Sequence, residues 1–233
     1  MIVTLDIDHT LVVGTKTHHQ ALEHGIYLTY GVKAQLQGRN FTGYVDKQIV
    51  LEALSTEKIS KQDIEARFVK LCESSTQFYL ENVSSEKISV LPGVKPLLQK
   101  LLSSGYRLGL VTGNIEGIAH AKLKAAGLPA IFKFGGYGCE DTCRGKLLGM
   151  ALERASYSQD SVAFHIGDTV QDIRASVDNG AYGIGVGTGA TSTRSLMEAG
   201  ASSVFPDLSD TDSILHALKL WAVRHKSLLQ KHE

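Results

Sequence analysis

Short apolar, β-prone runs alternate with longer segments of helical period along most of this 233-residue chain. The runs are MIVTLDI, YRLGLVTG, AIFKFGG, SVAFHIGD, AYGIGVG and ASSVFPD. Each of the later ones except AIFKFGG follows a helix-like stretch such as GVKPLLQKLLSSG, RGKLLGMALERAS or DIRASVDNG. Apolar strands separated by helices predict βαβ units and a parallel sheet covered on both faces, the Rossmann-like, doubly wound α/β class. In such sheets ligands gather at the carboxyl ends of the strands, near the point where strand order reverses.

The stretch between the first and second strands departs from this alternation. KTHHQALEHGIYLTYGV, VDKQIVLEALS and ISKQDIEARFVKLCESSTQFYLENV are three helical patterns without a strand, and VLPGV marks the return to the core. An α-helical cap domain is therefore expected over 16–88, inserted into a core made of 1–15 and 89–233. Asp46 is expected to cap the second of these helices, and the LQKHE tail to fray.

Composition limits the function classes. Lys plus Arg (24) balances Asp plus Glu (24), so no basic field gathers nucleic acid or a membrane surface. No stretch approaches the eighteen or so apolar residues that cross a bilayer, and no leader pattern precedes the first strand, so a cytoplasmic protein is expected. Cys72, Cys139 and Cys143 are odd in number and lack zinc-site spacing, which suits reduced thiols.

The chemistry begins at LDIDHTL. Asp6 and Asp8 leave a strand on one face unless the chain turns, and like charges held so close require a divalent cation or a shared proton. HIGDTVQD adds Asp168 and Asp172 after another strand; neighbouring parallel strands bring all four acids to one sheet edge, a hard-oxygen site suited to Mg²⁺. LVTGN adds Thr112 and the amides of Gly113 and Asn114 at a strand-to-helix turn, which favours an oxyanion such as phosphate. CEDTCRGKLL supplies Arg144 and Lys146 near a helix start, where a cation offsets phosphoryl charge.

In order and spacing, LDIDHTL, LVTGN, the basic residue before a helix and GDTVQD resemble the four motifs of the haloacid dehalogenase-like hydrolase superfamily, over nearly the whole chain. LPGVKPLLQKLLSSGYRLGLVTGN and GDTVQDIRASVDNGAYGIGV are similar to phosphoglycolate phosphatase-like members, and the helical insert looks like that superfamily's first type of cap. The resemblance implies Asp6 as the nucleophile that becomes an aspartyl-phosphate, and Asp8 as the acid that protonates the leaving alkoxide and then the base that activates water. It gives Thr112 and Arg144 the phosphoryl oxygens, places Thr10, Gly113, Asn114, Lys146, His18 and Gly43 among the substrate-binding candidates, and assigns Mg²⁺ to Asp6, the Asp8 carbonyl and Asp168 with Asp172 in support. The implied activity is a Mg²⁺-dependent phosphatase for a small phosphate ester, in a monomer or homodimer. Asp8 separates this reading from the dehalogenases, because halide leaves without a proton.

Several alternatives stand. A phosphomutase of the same fold shares every motif, and a catalytically silent binding module would share the scaffold. Arg144 is favoured over Lys146 as the third-motif cation. His9 occupies a position where most relatives carry Gly, so it either strains the turn or lines the site. Asp172 also suits a helix cap; His18 and His19 suit exposed or capping positions; Gly43 and Asp46 suit a turn glycine and an N-cap as well as a specificity loop. GIGVGTG does not match the dinucleotide fingerprint and reads as a glycine-rich strand end.

Overall fold

The computed structural model describes residues 1–14, 16–85, 87–158 and 161–230; the end of the LQKHE tail lies outside the described residues. The chain runs β1 (Ile2–Leu5), β2 (Val12–Val13), α1 (Thr17–Tyr30), α2 (Asp46–Ala53), α3 (Lys61–Asn82), β3 (Ser89–Val90), α4 (Val94–Ser103), β4 (Arg107–Thr112), α5 (Glu116–Ala125) and β5 (Gly135–Tyr137). It continues through α6 (Arg144–Arg154), β6 (Ala163–Gly167), α7 (Val170–Asp178), β7 (Tyr182–Val186), α8 (Thr193–Glu198), β8 (Ser203–Phe205) and α9 (Thr211–Leu229).

Six strands form one sheet in the order β5-β4-β1-β6-β7-β8, every pairing parallel. From β1 the chain first builds outward through β4 and β5, then crosses back to lay β6 on the other side of β1. That reversal is the switch point at which doubly wound sheets bind ligands. Leu5 of β1 stands level with Leu110 of β4 and Ile166 of β6, so the residues that follow these strands emerge side by side.

Alternation along β1 assigns the two faces. Val3 and Leu5 join the cluster under α4 and α9, where Leu97, Leu101, Ile214 and Leu218 are buried. Ile2 joins the opposite cluster with Leu147, Leu148 and Ala151 of α6. β1 is thus buried on both sides. Thr4 and His165 are polar residues of this interior, and they bond each other at 3.0 Å.

The three helices between β2 and β3 build a separate apolar cluster, with Leu22, Ile26, Val50, Phe68, Leu71 and Tyr79 at its centre. Ile115, Ile118 and Ala121, around the start and inner face of α5, complete it, so α5 is shared with the sheet side. Where the chain leaves for α1 and returns from α3, β2 and β3 pair antiparallel.

Three expectations are corrected. AIFKFGG does follow a helix, α5, and its strand begins only at Gly135; Ala130 to Phe134 are irregular. α5 was missed because EGIAHAKLKA places Lys122 on its buried face, which blurs the apolar period. Asp46 is the first residue of α2, whose N-cap is Val45, and its carboxylate is directed elsewhere.

Candidate active site

Asp6 follows β1 and is 4% exposed. Its amide donates to the Ile166 carbonyl at 2.9 Å, continuing the β1–β6 ladder past the end of β1. Asp168 follows β6, and Asp172 is the third residue of α7; one oxygen of each of these three acids lies within 4.8 Å of the others. Arg144, at the start of α6, donates from Nη1 to Asp6 Oδ1 at 3.1 Å and to the Val111 carbonyl at 3.3 Å. Its Nε faces Asp172 Oδ1 at 3.5 Å.

Three clustered acids against one guanidinium leave excess negative charge, and the titration behaviour reflects it. Burial pushes the Asp6 carboxyl well above the ordinary range; Arg144 opposes this, while Asp172, Asp168 and Asp8 add to it. Burial, then repulsion from Asp172, pushes Asp168 up to about 7. Asp172 goes the other way: burial would raise it, but Arg144 and the His165 bond outweigh that and hold it at about 2.

Asp172 is fixed by a capping box. Its Oδ2 accepts from the Thr169 amide at 3.1 Å and hydroxyl at 2.6 Å, while Oδ1 lies 3.3 Å from His165 Nε2. Since an ionised carboxylate only accepts, His165 Nε2 carries a proton toward it. A buried polar line therefore runs from Thr4 through His165 and Asp172 to Arg144 and Asp6.

Asp8 faces a different environment. Lys122 of α5, fully buried, donates from Nζ to both Asp8 oxygens at 2.8 Å and to Asn114 Oδ1 at 2.6 Å. Asn114 Nδ2 donates to Asp8 at 2.7 Å and to the Thr112 hydroxyl at 2.5 Å. Burial resists ionisation of Asp8, but Lys122 outweighs it and holds the carboxyl far below its ordinary range. His18 Nδ1 lies 3.1 Å from Lys122 Nζ, and His18 Nε2 lies 2.9 Å from Asp46 Oδ2. An ammonium can only donate, so Nδ1 accepts and Nε2 carries the proton to Asp46. Asp46 also accepts the Ile115 amide at the start of α5 at 2.7 Å, and its own amide donates to the Gly113 carbonyl at 2.7 Å.

These groups open onto a cleft of about 340 Å³. Asp6, Asp8, Thr112, Gly113, Asn114, Arg144 and Asp168 line one side, and His18, His19, Arg39, Asn40, Phe41, Thr42, Gly43 and Tyr44 the other. Gly113 lets the two sides meet: a Cβ there would stand 2.4 Å from the Tyr44 carbonyl oxygen. Gly43 has φ +77°, left-handed backbone that few side chains adopt.

A family description, haloacid dehalogenase-like hydrolase, matches residues 3–186. The chain belongs to that family. Over 171 residues this hydrolase is 28% identical to Hexitol phosphatase A of Escherichia coli (strain K12), covering 69% of this chain and 66% of that relative. Its structure is similar to that of a hydrolase from Pseudomonas syringae, with TM-score 0.66, 22% identity, and 92% and 97% of the two chains covered. It is also similar to β-phosphoglucomutase from Clostridium difficile, with TM-score 0.69, 17% identity, and 96% and 100% covered.

The hydrolase fold brings most of the candidate residues together and leaves some apart. Lys146 is on the surface, paired with Asp141 at 3.1 Å, because it sits two residues past Arg144 on the outward side of α6. The Asp8 side chain is outside the acid cluster; Lys122 and Asn114 occupy its oxygens, so only its carbonyl is left as a candidate for a metal. Thr10 donates to Asp168 Oδ1 at 3.3 Å, which orients that acid. His9 lines the cleft and also has φ +58°, so both consequences of replacing Gly hold. Lys122, which sequence reasoning did not single out, joins the candidate site through Asp8.

The donor set suits a hard divalent ion. Asp6 and Asp168 offer carboxylate oxygens at the cleft, and Asp172 adds fixed negative charge. Three acids less one guanidinium leave a deficit that two positive charges cancel.

Proposed function

We propose that this hydrolase is a Mg²⁺-dependent phosphatase for a small phosphorylated metabolite. The observation that carries this reading is the unequal treatment of two acids only two residues apart. Asp6 faces the cleft beside Arg144 in a cluster short of positive charge, whereas Asp8 is held ionised by an ammonium of its own.

In this reading an Asp6 oxygen attacks phosphorus and forms an aspartyl-phosphate while the alkoxide leaves. Arg144 receives phosphoryl charge from the side it shares with Asp6, and Thr112 with the Gly113 and Asn114 amides receives the oxygens. Asp8 delivers the proton to the leaving alkoxide, drawing on the ammonium 2.8 Å away; the alkoxide is a far stronger base than either partner and drives the transfer. Asp8, restored as carboxylate, then takes a proton from the water that cleaves the aspartyl-phosphate. Mg²⁺ held by Asp6 and Asp168, with Asp172 behind them, would mask the anionic charge that otherwise keeps a carboxylate from a phosphate.

The helices of 16–88 act as a cap in this reading. The cleft they close excludes a phosphoprotein and bulk water. Polar and aromatic side chains share their wall, with Arg39 paired with Glu52 and burial lowering the His19 pKa. A hydroxylated metabolite carrying a single phosphate suits such a wall.

The test is phosphate release by purified protein from a panel of phosphorylated sugars and polyols, phosphoglycolate, nucleotides and an aryl phosphate. Asp6→Asn is expected to abolish turnover of all of them with an unchanged circular dichroism spectrum, and chelator to abolish it reversibly. An active Asp6→Asn enzyme overturns the assignment. A requirement for a bisphosphate activator, with isomerised sugar phosphate as product, replaces hydrolysis by phosphoryl transfer.

A further inference from the structure

Cys72 and Cys139 line a second crevice together with Thr76, Gln77, Ile115 and Glu116. Cys72 belongs to α3, and Cys139 follows β5 in the sheet-bearing part of the chain. Both are free and half-buried, and each thiol is the largest influence on the ionisation of the other. The environment of the pair is asymmetric. Cys139 sulfur also accepts from the Glu116 amide, the first residue of α5, where unpaired N–H groups and the helix dipole stabilise a thiolate. The interaction with Cys72, outweighing burial, and this amide lower the Cys139 thiol below its ordinary value, while the same interaction and burial raise Cys72.

We infer that Cys72 and Cys139 form a thiol–disulfide exchange site, and that the disulfide between them ties α3 to the core and halts turnover. The second half of this inference rests on the cap reading, since only a cap that must open for exchange of substrate and product is stopped by a tether. The oxidant is a small disulfide of the glutathione class. Cys139 thiolate attacks one of its sulfurs and expels the first thiolate, giving a mixed disulfide. Cys72 sulfur then attacks the Cys139 sulfur, its proton passing to the second departing thiolate. Two protein thiols lose two electrons and the small disulfide becomes two thiols, so the exchange balances. Two thiols that line one crevice and act on each other's ionisation are placed to bond, and access along the crevice lets the oxidant reach Cys139. Such a bond in a chain otherwise poor in cysteine fits a transient, regulatory disulfide rather than a structural one.

The experiment incubates the full-length protein with glutathione disulfide and reads intact mass, peptide linkage and phosphatase activity in parallel, with dithiothreitol reversal. The expected result is a mass lower by about 2 Da from a Cys72–Cys139 link, activity reduced about tenfold or more, and recovery on reduction. Cys72→Ser is expected to stop at a single glutathione adduct on Cys139, and Cys139→Ser to form neither species; both should retain basal turnover. Failure of the native protein to form the link, or its formation through Cys143, overturns the exchange site. Full activity of the linked protein overturns the tether. If the reduced protein hydrolyses no phosphate ester, the phosphatase reading fails while the mass readout still decides the exchange site.

Discussion

Replacing Lys122 by Met tests whether the buried ammonium is what holds Asp8. The side chain is fully buried and makes four polar contacts between 2.6 and 3.1 Å, two of them to Asp8. Methionine keeps the length and removes the charge, leaving Asp8 with Asn114 alone. Removing one partner of a fully buried pair costs about 3–5 kcal/mol. The Asp8 side chain is 29% exposed, so solvent screening reduces the expected cost to about 2–4 kcal/mol. For a chain of this length that lowers Tm by about 4–16 °C. The pH dependence identifies the cause. A carboxyl whose folded pKa is depressed contributes stability above its unfolded value of about 3.9 and loses it as pH falls toward the folded value. The Tm gap between native and Lys122→Met protein is therefore full at pH 7 and narrows below about pH 4. Thermal unfolding by circular dichroism from pH 3 to 8 measures it. In an Asp8→Asn background the same substitution should cost much less, because no carboxylate is left unpaired. An unchanged Tm at pH 7, a gap independent of pH, or full additivity of the two substitutions would refute the reasoning.

Three further outcomes follow from the site. Asp168 titrates at about 7 in the cation-free protein, a folded pKa above the ordinary value, so its stability contribution is present at low pH and lost as pH rises through about 7. Added Mg²⁺ should thus raise Tm more at pH 8 than at pH 6, and hardly at all in Asp168→Asn; equal shifts at both pH values would contradict it. Gly113→Ala places a methyl 2.4 Å from the Tyr44 carbonyl oxygen and should cost about tenfold or more in kcat/KM by misplacing the far wall; unimpaired kcat/KM in steady-state assays would argue against that contact being needed. His9→Gly relieves a left-handed residue at φ +58°, so chemical denaturation should show stability unchanged or higher by about 1 kcal/mol. A clear loss would mean that the imidazole, not the backbone, is what the position requires.

The parallel sheet was legible because burial on both faces writes strands such as β1, β4, β6 and β7 as near-continuous apolar runs, while their order in the sheet is not written in that pattern. Where the pattern failed, a local cause can be named. β5 is a three-residue strand, Gly135–Tyr137, with two glycines, and the apolar residues before it form no strand. α5 carries Ile118, Ala119 and Ala121 inward but inserts Lys122 among them, so a helix that serves two packing partners and a charge does not show a clean apolar stripe.

The acids that close on one another were readable for a related reason: like charges after apolar strands have few structural uses, and sheet topology places them together. What sequence could not supply is which acid faces which cation. Asp6 and Asp8 are separated by one residue and look interchangeable in LDIDHTL, yet the turn with His9 in the left-handed region carries Asp8 away from the cluster toward α5. The same limit explains Asp46. A polar residue at a helix start reads as that helix's cap, whereas here it bonds the beginning of a different helix and His18. A lysine on an otherwise apolar helical face was the one available signal for this network, because a buried ammonium requires acceptors converging on it from elsewhere in the fold. Once α5 is placed beside β4, the acceptors within reach are Asp8, Asn114 and His18, drawn from the first motif, the second motif and the inserted helices. Lys122 thus couples the two sides of the cleft electrostatically, and its loss should disturb Asp8 and the far wall together rather than either alone.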